Sequence, residues 1–451
     1  MPDLLALCDD VLQLILPLLS QNDAIHLSLT CRTGYDIALP RILHTVRFNT
    51  LNEMMPPPQC ERRLLEFCAF VLADVVRRAS LLRIMEISLS AYAFIGRTGE
   101  FQVEGRPFTA GLADILKHAS NLLELSLCLP NIIVRDDSSL LESVAALPRL
   151  RSLEIGIPAD LCRVLAKTVS RPRRLVLALT PKYPGLHLDV LLTSNLMASV
   201  EELHIDISSL KIPRMRFLQV HHLTISNMGY EDQINLSETF PNLRSLNLNT
   251  CLAYNQLSGS PLIGTLPELD YVKYTNTDIQ TFCYRGLVRR LAFTARGADK
   301  DLIKVIQQSS PVVLDCAFDS PSMLRKLRRA APELRVLRIR INFNELAGIS
   351  GDHIPFAFLA KLPLTAISIR ASWFDPHLWI PGVASRVITY MARRISTAEY
   401  VELSLASGMD YPDQGIWHKV ISRHDQVCTL ERLPRWESDV LESRLLAMPR
   451  L

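Results

Sequence analysis

The sequence predicts an α/β chain. A small N-terminal helical unit is followed by stacked strand–helix units, forming a curved solenoid with a parallel sheet on its concave face and helices on its convex face. Three observations predict this. A short leucine phrase, L-x-x-L-x-L, returns along most of the 451 residues. The stretches between its copies read as helices. Residues 1–43 lack the phrase and carry a helical pattern instead.

The phrase is seen in "NLLELSLCLPN" (121–131), "PRLRSLEIGIP" (148–158), "SVEELHIDIS" (199–208), "PNLRSLNLNTC" (241–251), "PELRVLRIRIN" (332–342) and "EYVELSLAS" (399–407). Its leading residue falls at Leu125, Leu153, Leu175, Leu203, Leu223, Leu246, Val272, Leu291, Leu314, Leu337 and Ile367, at spacings of 19 to 30 residues with a mean near 24. Weaker copies stand at Val46, Ile87 and Leu403. Alternation within the phrase turns Leu246 and Leu248 inward and Asn247 outward, as a strand requires. Between copies, "SLLESVAALP" and "DKDLIKVIQQ" read as helices. One strand and one helix cannot bury a core alone, so the units must stack. A doubly wound sheet would not repeat so often. The phrase and its spacing resemble leucine-rich repeats, whose units run about 20–29 residues. Cys251 and Asn342 occupy that family's polar ladder position, and elsewhere it holds Pro or Ser, which implies uneven turns.

The N-terminal stretch "CDDVLQLILPLLSQNDAIHLSLTCR" (8–32) begins with Asp9 or Asp10 as a helix cap and Gln13 placed to close it. Val11, Leu12, Ile15, Leu18 and Leu19 form one broad apolar stripe, and Leu14 and Leu16 lie off it. The helix is therefore apolar nearly all round, and Pro17 should end it near Leu16. Asn22 or Asp23 caps a second helix, and a third covers Tyr35 to Leu43 across Pro40. The segment does not read as a signal peptide, because Asp3, Asp9 and Asp10 stand where positive charge belongs. Its apolar run is too short for a membrane span, which needs about 20 residues. These expectations make the protein soluble, and cytoplasmic or nuclear.

Three phrases carry a resemblance: "L-x-D-D-V-L-x-x-I-x-x-x-L" from Leu7 to Leu19, "D-x-I-x-L-S-L-T-C-R" from Asp23 to Arg32, and "ALPRILHTVRF" at 38–48. Residues 7–43 resemble an F-box, the three-helix motif that docks a protein onto the adaptor of an SCF-type ubiquitin ligase. Cys8 stands where that family usually has proline. The resemblance implies that Leu7, Val11, Leu12, Ile15, Leu18, Leu19 and Ile25 form or support the adaptor-binding surface. It further implies a non-catalytic substrate-recognition subunit of a cullin-RING ligase, with the adaptor and cullin scaffold as partners and a target protein held by the repeats. The alternative is a repeat scaffold without any ubiquitin role, its N-terminal helices serving as a cap.

Composition fits this. Charged residues are 21% and apolar residues 48% of the chain, so it folds. A net charge of +3 gives no reason to expect nucleic acid or a membrane surface as partner. Ten scattered cysteines without a C-x-x-C pair read as reduced thiols. Phosphate-loop, dinucleotide, H-E-x-x-H and nucleophile-elbow spacings do not occur, so neither catalysis nor a cofactor or metal is expected. His221-His222 reads as surface.

The outward strand row supplies the candidate target-binding residues. Its first half holds Glu124, Glu154, Glu202, His204 and Asp206, with Arg174 as the exception; its second half holds Lys273, Arg290, Arg338, Arg340 and Arg370, with Asp315 as the exception. This predicts a face acidic at one end and basic at the other, suited to a protein segment. Trp373, Phe374 and Trp379, in the insertion "ASWFDPHLWIP", are further candidates. The basic run 323–340 reads as a solvated convex helix followed by a strand. The expected domains are a helical unit at 1–43, a repeat region at 44–407, and a C-terminal cap at 408–451 made of a hairpin (416–433) and a final helix (436–448). An amphipathic helix is expected at 61–79, and a loop at 93–108 with Phe101 and Phe108 exposed.

Overall fold

The computed structural model describes residues 9–49, 57–89, 107–129, 138–157, 162–179, 188–206, 215–226, 234–249, 262–263, 268–275, 286–294, 299–317, 321–342, 356–373, 383–407, 416–424 and 427–450. Leu7, Phe101, Cys251, Phe374, Trp379 and the predicted hairpin turn at 425–426 lie outside the described residues, as do the side chains of Asn342 and Trp373. The chain divides into two compact units, Met1–Val220 and His221–Leu451.

The first unit opens with helices α1 (Asp9–Ile15), α2 (Gln21–Ser28) and α3 (Arg32–His44). Pro17 stops α1 at Ile15, because proline lacks an N–H and disfavours helical backbone before it; a short 3-10 turn, Leu16–Leu18, follows. The cap of α2 is Ser20, not Asn22 or Asp23: its Oγ accepts from the Asp23 N–H at 3.1 Å and donates to the Asp23 carboxylate at 2.6 Å. The Asp23 carboxylate thus accepts from the Ser20 hydroxyl, unlike a capping box, where it would accept from the N-cap backbone N–H. The Cys31 Sγ accepts from the Gly34 N–H and starts α3 three residues before its predicted start. Leu12, Ala24, Ala38, Leu39 and Leu43 form the buried centre of the three helices.

Six parallel strands follow in chain order: β1 (Thr45–Asn49), β2 (Ile84–Ser88), β3 (Glu124–Cys128), β4 (Ser152–Ile157), β5 (Arg174–Leu179) and β6 (Glu202–Asp206). Between them lie α4 (Pro57–Leu72), α5 (Val75–Ala79), α6 (Pro107–His118), α7 (Ser138–Ala146), α8 (Cys162–Leu165) and α9 (Leu188–Leu192). The helix expected at 61–79 is two helices. It breaks at Asp74, whose backbone leaves the helical region at φ −149°, ψ 65°. Phe108 is buried inside α6 rather than exposed, since the chain enters that helix with its aromatic ring turned into the core.

The second unit runs β7 (His222–Ser226), β8 (Ile234–Asn235), α10 (Leu236–Thr239), β9 (Ser245–Asn249), β10 (Leu262–Ile263), β11 (Leu269–Thr275) and β12 (Val288–Phe293). It continues with α11 (Asp299–Ser309), β13 (Val313–Ala317), α12 (Pro321–Ala330), β14 (Val336–Asn342), β15 (Ala366–Trp373), α13 (Val383–Arg394) and β16 (Tyr400–Ser407). It ends with β17 (Ile416–His424), β18 (Val427–Arg432) and α14 (Arg435–Leu446). Its main sheet keeps the order β7-β9-β11-β12-β13-β14-β15-β16, all parallel, then adds the antiparallel hairpin β17-β18; β8 and β10 pair separately.

The leucine phrase is the register of both sheets. Val46, Met85, Leu125, Leu153, Leu175 and Leu203 stand side by side in the first unit. Leu223, Leu246, Val272, Leu291, Leu314, Leu337, Ile367 and Val401 do so in the second. All are buried. Two of the weaker copies are displaced by two residues: Met85 and Val401 hold the leading rung, while Ile87 and Leu403 belong to the next, beside Leu127 and Ile369. An alternating strand presents the same face every second residue, so either assignment satisfies the pattern. The residue before each strand extends the stacking: the Arg83, Leu123, Arg151, Arg173 and Glu201 N–H groups each donate to the preceding unit at 2.7 to 3.2 Å. Leu112, Leu116, Val144, Leu302, Leu324 and Met391 are the buried helix residues on the same side.

Leu314 lies between Leu291 and Leu337 with no exposed surface. Leu314→Ala leaves a cavity in a row that cannot collapse, and we expect a loss of about 2–5 kcal/mol, read as a lower urea midpoint. An unchanged midpoint would show that the row is loosely packed.

Candidate partner-binding surfaces

The helical stripe at the N-terminus is split by the fold. Leu12 is buried, and Ile15, Leu16 and Leu19 are half-buried toward the rest of the unit. On the other side Leu14 is 73% exposed, Leu18 on the 3-10 turn 84% and Leu29, the residue that ends α2, 78%, with Val11 and Ile25 at the edge of exposure. Leu14 was read as lying off the stripe, and it is among the most exposed leucines described. The turn between α1 and α2 is held to α3 by polar bonds. Arg41 Nε donates to the Leu19 carbonyl at 2.8 Å, and Gln21 Nε2 donates to the Ile42 and Thr45 carbonyls at 3.1 and 2.9 Å. A rigid, bonded frame thus presents apolar side chains to water.

The outward strand face of the first unit carries the expected acidic residues in adjacent rows. Glu124, Ser152, Arg174 and Glu202 stand in one row, and Arg47, Glu86, Ser126, Glu154, Val176 and His204 in the next. Asp206 continues the third row beyond Cys128, Gly156 and Ala178. Arg47 pairs with Glu86 at 2.9 Å; Arg174 pairs with Glu202 at 3.2 Å and reaches Glu154 at 4.0 Å. These exposed pairs add little stability. Five carboxylates face two guanidinium groups, so the face stays negative. A depression of about 320 Å³ is floored by Ser126, Ser152 and Cys128 and rimmed by Glu86, Glu124 and Glu154. Burial lowers the His204 pKa against the pull of Asp206 and Glu154, so the ring stays neutral at physiological pH. Burial, reinforced by Glu154, raises the Cys128 thiol to about 11, which removes it as a nucleophile.

The same face of the second unit is basic, but less open than its sequence suggests. Lys273 and Arg290 are half-buried, and Arg290 lies 4.6 Å over the Tyr271 ring, with burial lowering its pKa. Arg340 pairs with Asp315 at 2.9 Å. Arg338, read as an exposed outward cation, is only 2% exposed. The cause is α14, which returns over the strands instead of capping their edge. Its Glu442 pairs with Arg338 at 2.6 Å and lies 3.5 Å from Arg370. Beside them Glu402 is buried, and burial raises its pKa although Ser368, Arg370 and Arg338 favour the charged form. Trp373 ends β15, opposite Ser407.

The basic run reads as expected at α12: Met323, Leu324, Leu327 and Ala330 are buried, while Arg325, Lys326, Arg328 and Arg329 face water. Among the described residues no three His, Cys, Asp or Glu groups gather as a metal would require, and no helix is long and apolar enough to cross a membrane. Comparison with protein-family models finds no matching family, and comparison with curated proteins finds no match.

Proposed function

We propose that the protein is a substrate-recognition subunit of an SCF-type, cullin-RING ubiquitin ligase. Helices α1 to α3 dock on the adaptor, and the outward strand faces hold a target protein. The subunit performs no bond chemistry; it brings a target near a ubiquitin-loading enzyme carried elsewhere in the complex, so its contribution is effective concentration. On this reading it works in the cytoplasm or nucleus.

The observation that carries the proposal is the apolar side of α1 and α2. Val11, Leu14, Leu18, Ile25 and Leu29 are exposed on helices whose opposite side already builds a closed centre. A terminal cap needs the reverse, with a polar side toward water. The described parts of the first two quoted phrases, residues 9–19 and 23–32, run over α1, the turn after it and α2 to the start of α3. The strand faces support the second half of the proposal, since charged, shallow sheet surfaces suit a protein segment better than a small molecule.

Affinity capture of the tagged full chain from cells, read by mass spectrometry, tests this. Adaptor and cullin should be recovered together, along with one or more targets. Capture of stable partners without adaptor or cullin would favour the plain repeat scaffold.

A further inference from the structure

The C-terminal helix lies where a target would bind in the second unit. After β18 the chain turns and α14 lies back on the outward side of β13 to β16. Leu433, Leu441 and Leu445 pack on Val313, Val336 and Ala366, the outward residues at the starts of those strands. Further along the same strands Glu442 meets Arg338 and Arg370. The helix is latched at its far end: Arg450 Nη2 donates to the Ser309 and Ser310 carbonyls at 2.8 and 2.6 Å, and its Nε pairs with Glu268 at 3.1 Å.

Two features distinguish this helix from a permanent roof. Beside the apolar contact the covered surface carries polar groups that are incompletely satisfied, with Arg338 Nε and Glu402 Oε2 buried without a hydrogen-bond partner. Such atoms penalise the covered state, and water would satisfy them on opening. The polar contact that α14 itself makes here is Glu442, at 2.6 Å from Arg338 and 3.5 Å from Arg370, with Glu402 buried beside them. The outer side of α14 is also not polar: Trp436 is 69% and Val440 64% exposed, four residues apart on one side. A terminal cap would put polar residues there.

We propose that the outward face of β13 to β16 is a docking site for an amphipathic helix of the target protein, bearing a leucine pair with a carboxylate beside it, and that α14 occupies this site in cis until displaced. The leucines would replace Leu441 and Leu445 on Val313, Val336 and Ala366. A carboxylate beside them would replace Glu442 at Arg338 and Arg370. The inference rests on reading the repeats as the target-binding part, and its test does not involve the adaptor, so the two can fail separately.

The test uses the full chain and a fluorescein-labelled peptide of residues 433–450. In Leu441→Asp/Leu445→Asp chain the resident helix is unseated, and the peptide should bind at least tenfold more tightly than to the unmodified chain. The same peptide carrying Glu442→Lys should bind at least tenfold more weakly. A folded double variant that takes up no more peptide than the unmodified chain overturns the proposal. Hydrogen exchange on the unmodified chain gives an arm that needs no variant. Amides of α14 should exchange at least tenfold faster than those of β14 and β15. Exchange at one common rate would make α14 part of the core and end the idea.

Discussion

Trp417→Ala should cost about 3–5 kcal/mol and release the whole C-terminal segment. The indole is the largest fully buried side chain described, and it sits with Val312, Leu433, Leu441 and Leu445 beneath α14. It stands on β17, which joins the parallel sheet only through an antiparallel pairing with β16, Glu402 opposite Trp417. The strand is also anchored by Arg423, which donates to the Ala392, Ile395 and Ala398 carbonyls at and beyond the end of α13. Val427 and Ile421 are exposed, and most of β18 faces water. Removing the ring therefore leaves a cavity that the strands above cannot fill, and it withdraws the surface on which Leu441 and Leu445 rest. The measurement is urea unfolding combined with hydrogen exchange of residues 416–450. We expect a lower midpoint, with exchange in this segment at least tenfold faster. A loss below about 1 kcal/mol would mean that the segment is held mainly by the Arg423 and Arg450 hydrogen bonds.

Leu14→Asp/Leu18→Asp should weaken adaptor binding at least a hundredfold while leaving the fold intact. Both side chains stand largely in water in the free chain, so their replacement removes no core contact and should shift stability by no more than about 0.5 kcal/mol. In a complex each leucine withdrawn from water contributes about 1.5–3 kcal/mol, and two of them account for a hundredfold or more in affinity. An aspartate held in an apolar interface adds a desolvation cost. Substituting the half-buried Ile15 and Leu19 would be a poorer test, because losing them would also disturb the packing against α3. The quantities to compare are the dissociation constant for purified adaptor and the thermal melting of the two chains. Equal affinity with equal melting would remove α1 from the interface.

The fold was legible wherever one residue's environment follows from its own alternation. The leading rung of both sheets was placed at eleven positions from the leucine phrase alone, and each of those residues is buried in register with its neighbours. The slips at Met85 and Val401 arose because a period of two does not say which inward residue comes first. The Ser20 cap was missed for a related reason: "SQND" offers three capping side chains in four residues, and only the backbone geometry at Leu19 and Ser20 chooses among them. Leu14 lies off the stripe as read, but an apolar helix has no polar side to show that this is the side left in water.

The candidate surfaces divide along the same line. Glu124, Glu154, Glu202, His204 and Asp206 share one sheet face because register alone brings them together. Arg338 and Arg370 share a face too, but Glu442 reaches them from 104 and 72 residues further along the chain, and no local pattern announces that return. The helix "RWESDVLESRLL" carries leucine, tryptophan and charge on several sides, so its sequence does not show which side is buried. A covered cation and an exposed one look alike until the element above them is placed.

The central claim is that the exposed side of α1 and α2 is an adaptor-docking surface. The most direct measurement is hydrogen exchange of the full chain with and without purified adaptor. The account predicts slowed exchange confined to residues 9–49, strongest from Val11 to Leu29, with the strand faces unchanged. Adaptor that binds elsewhere, or that leaves those helices exchanging at their free rate, would contradict it.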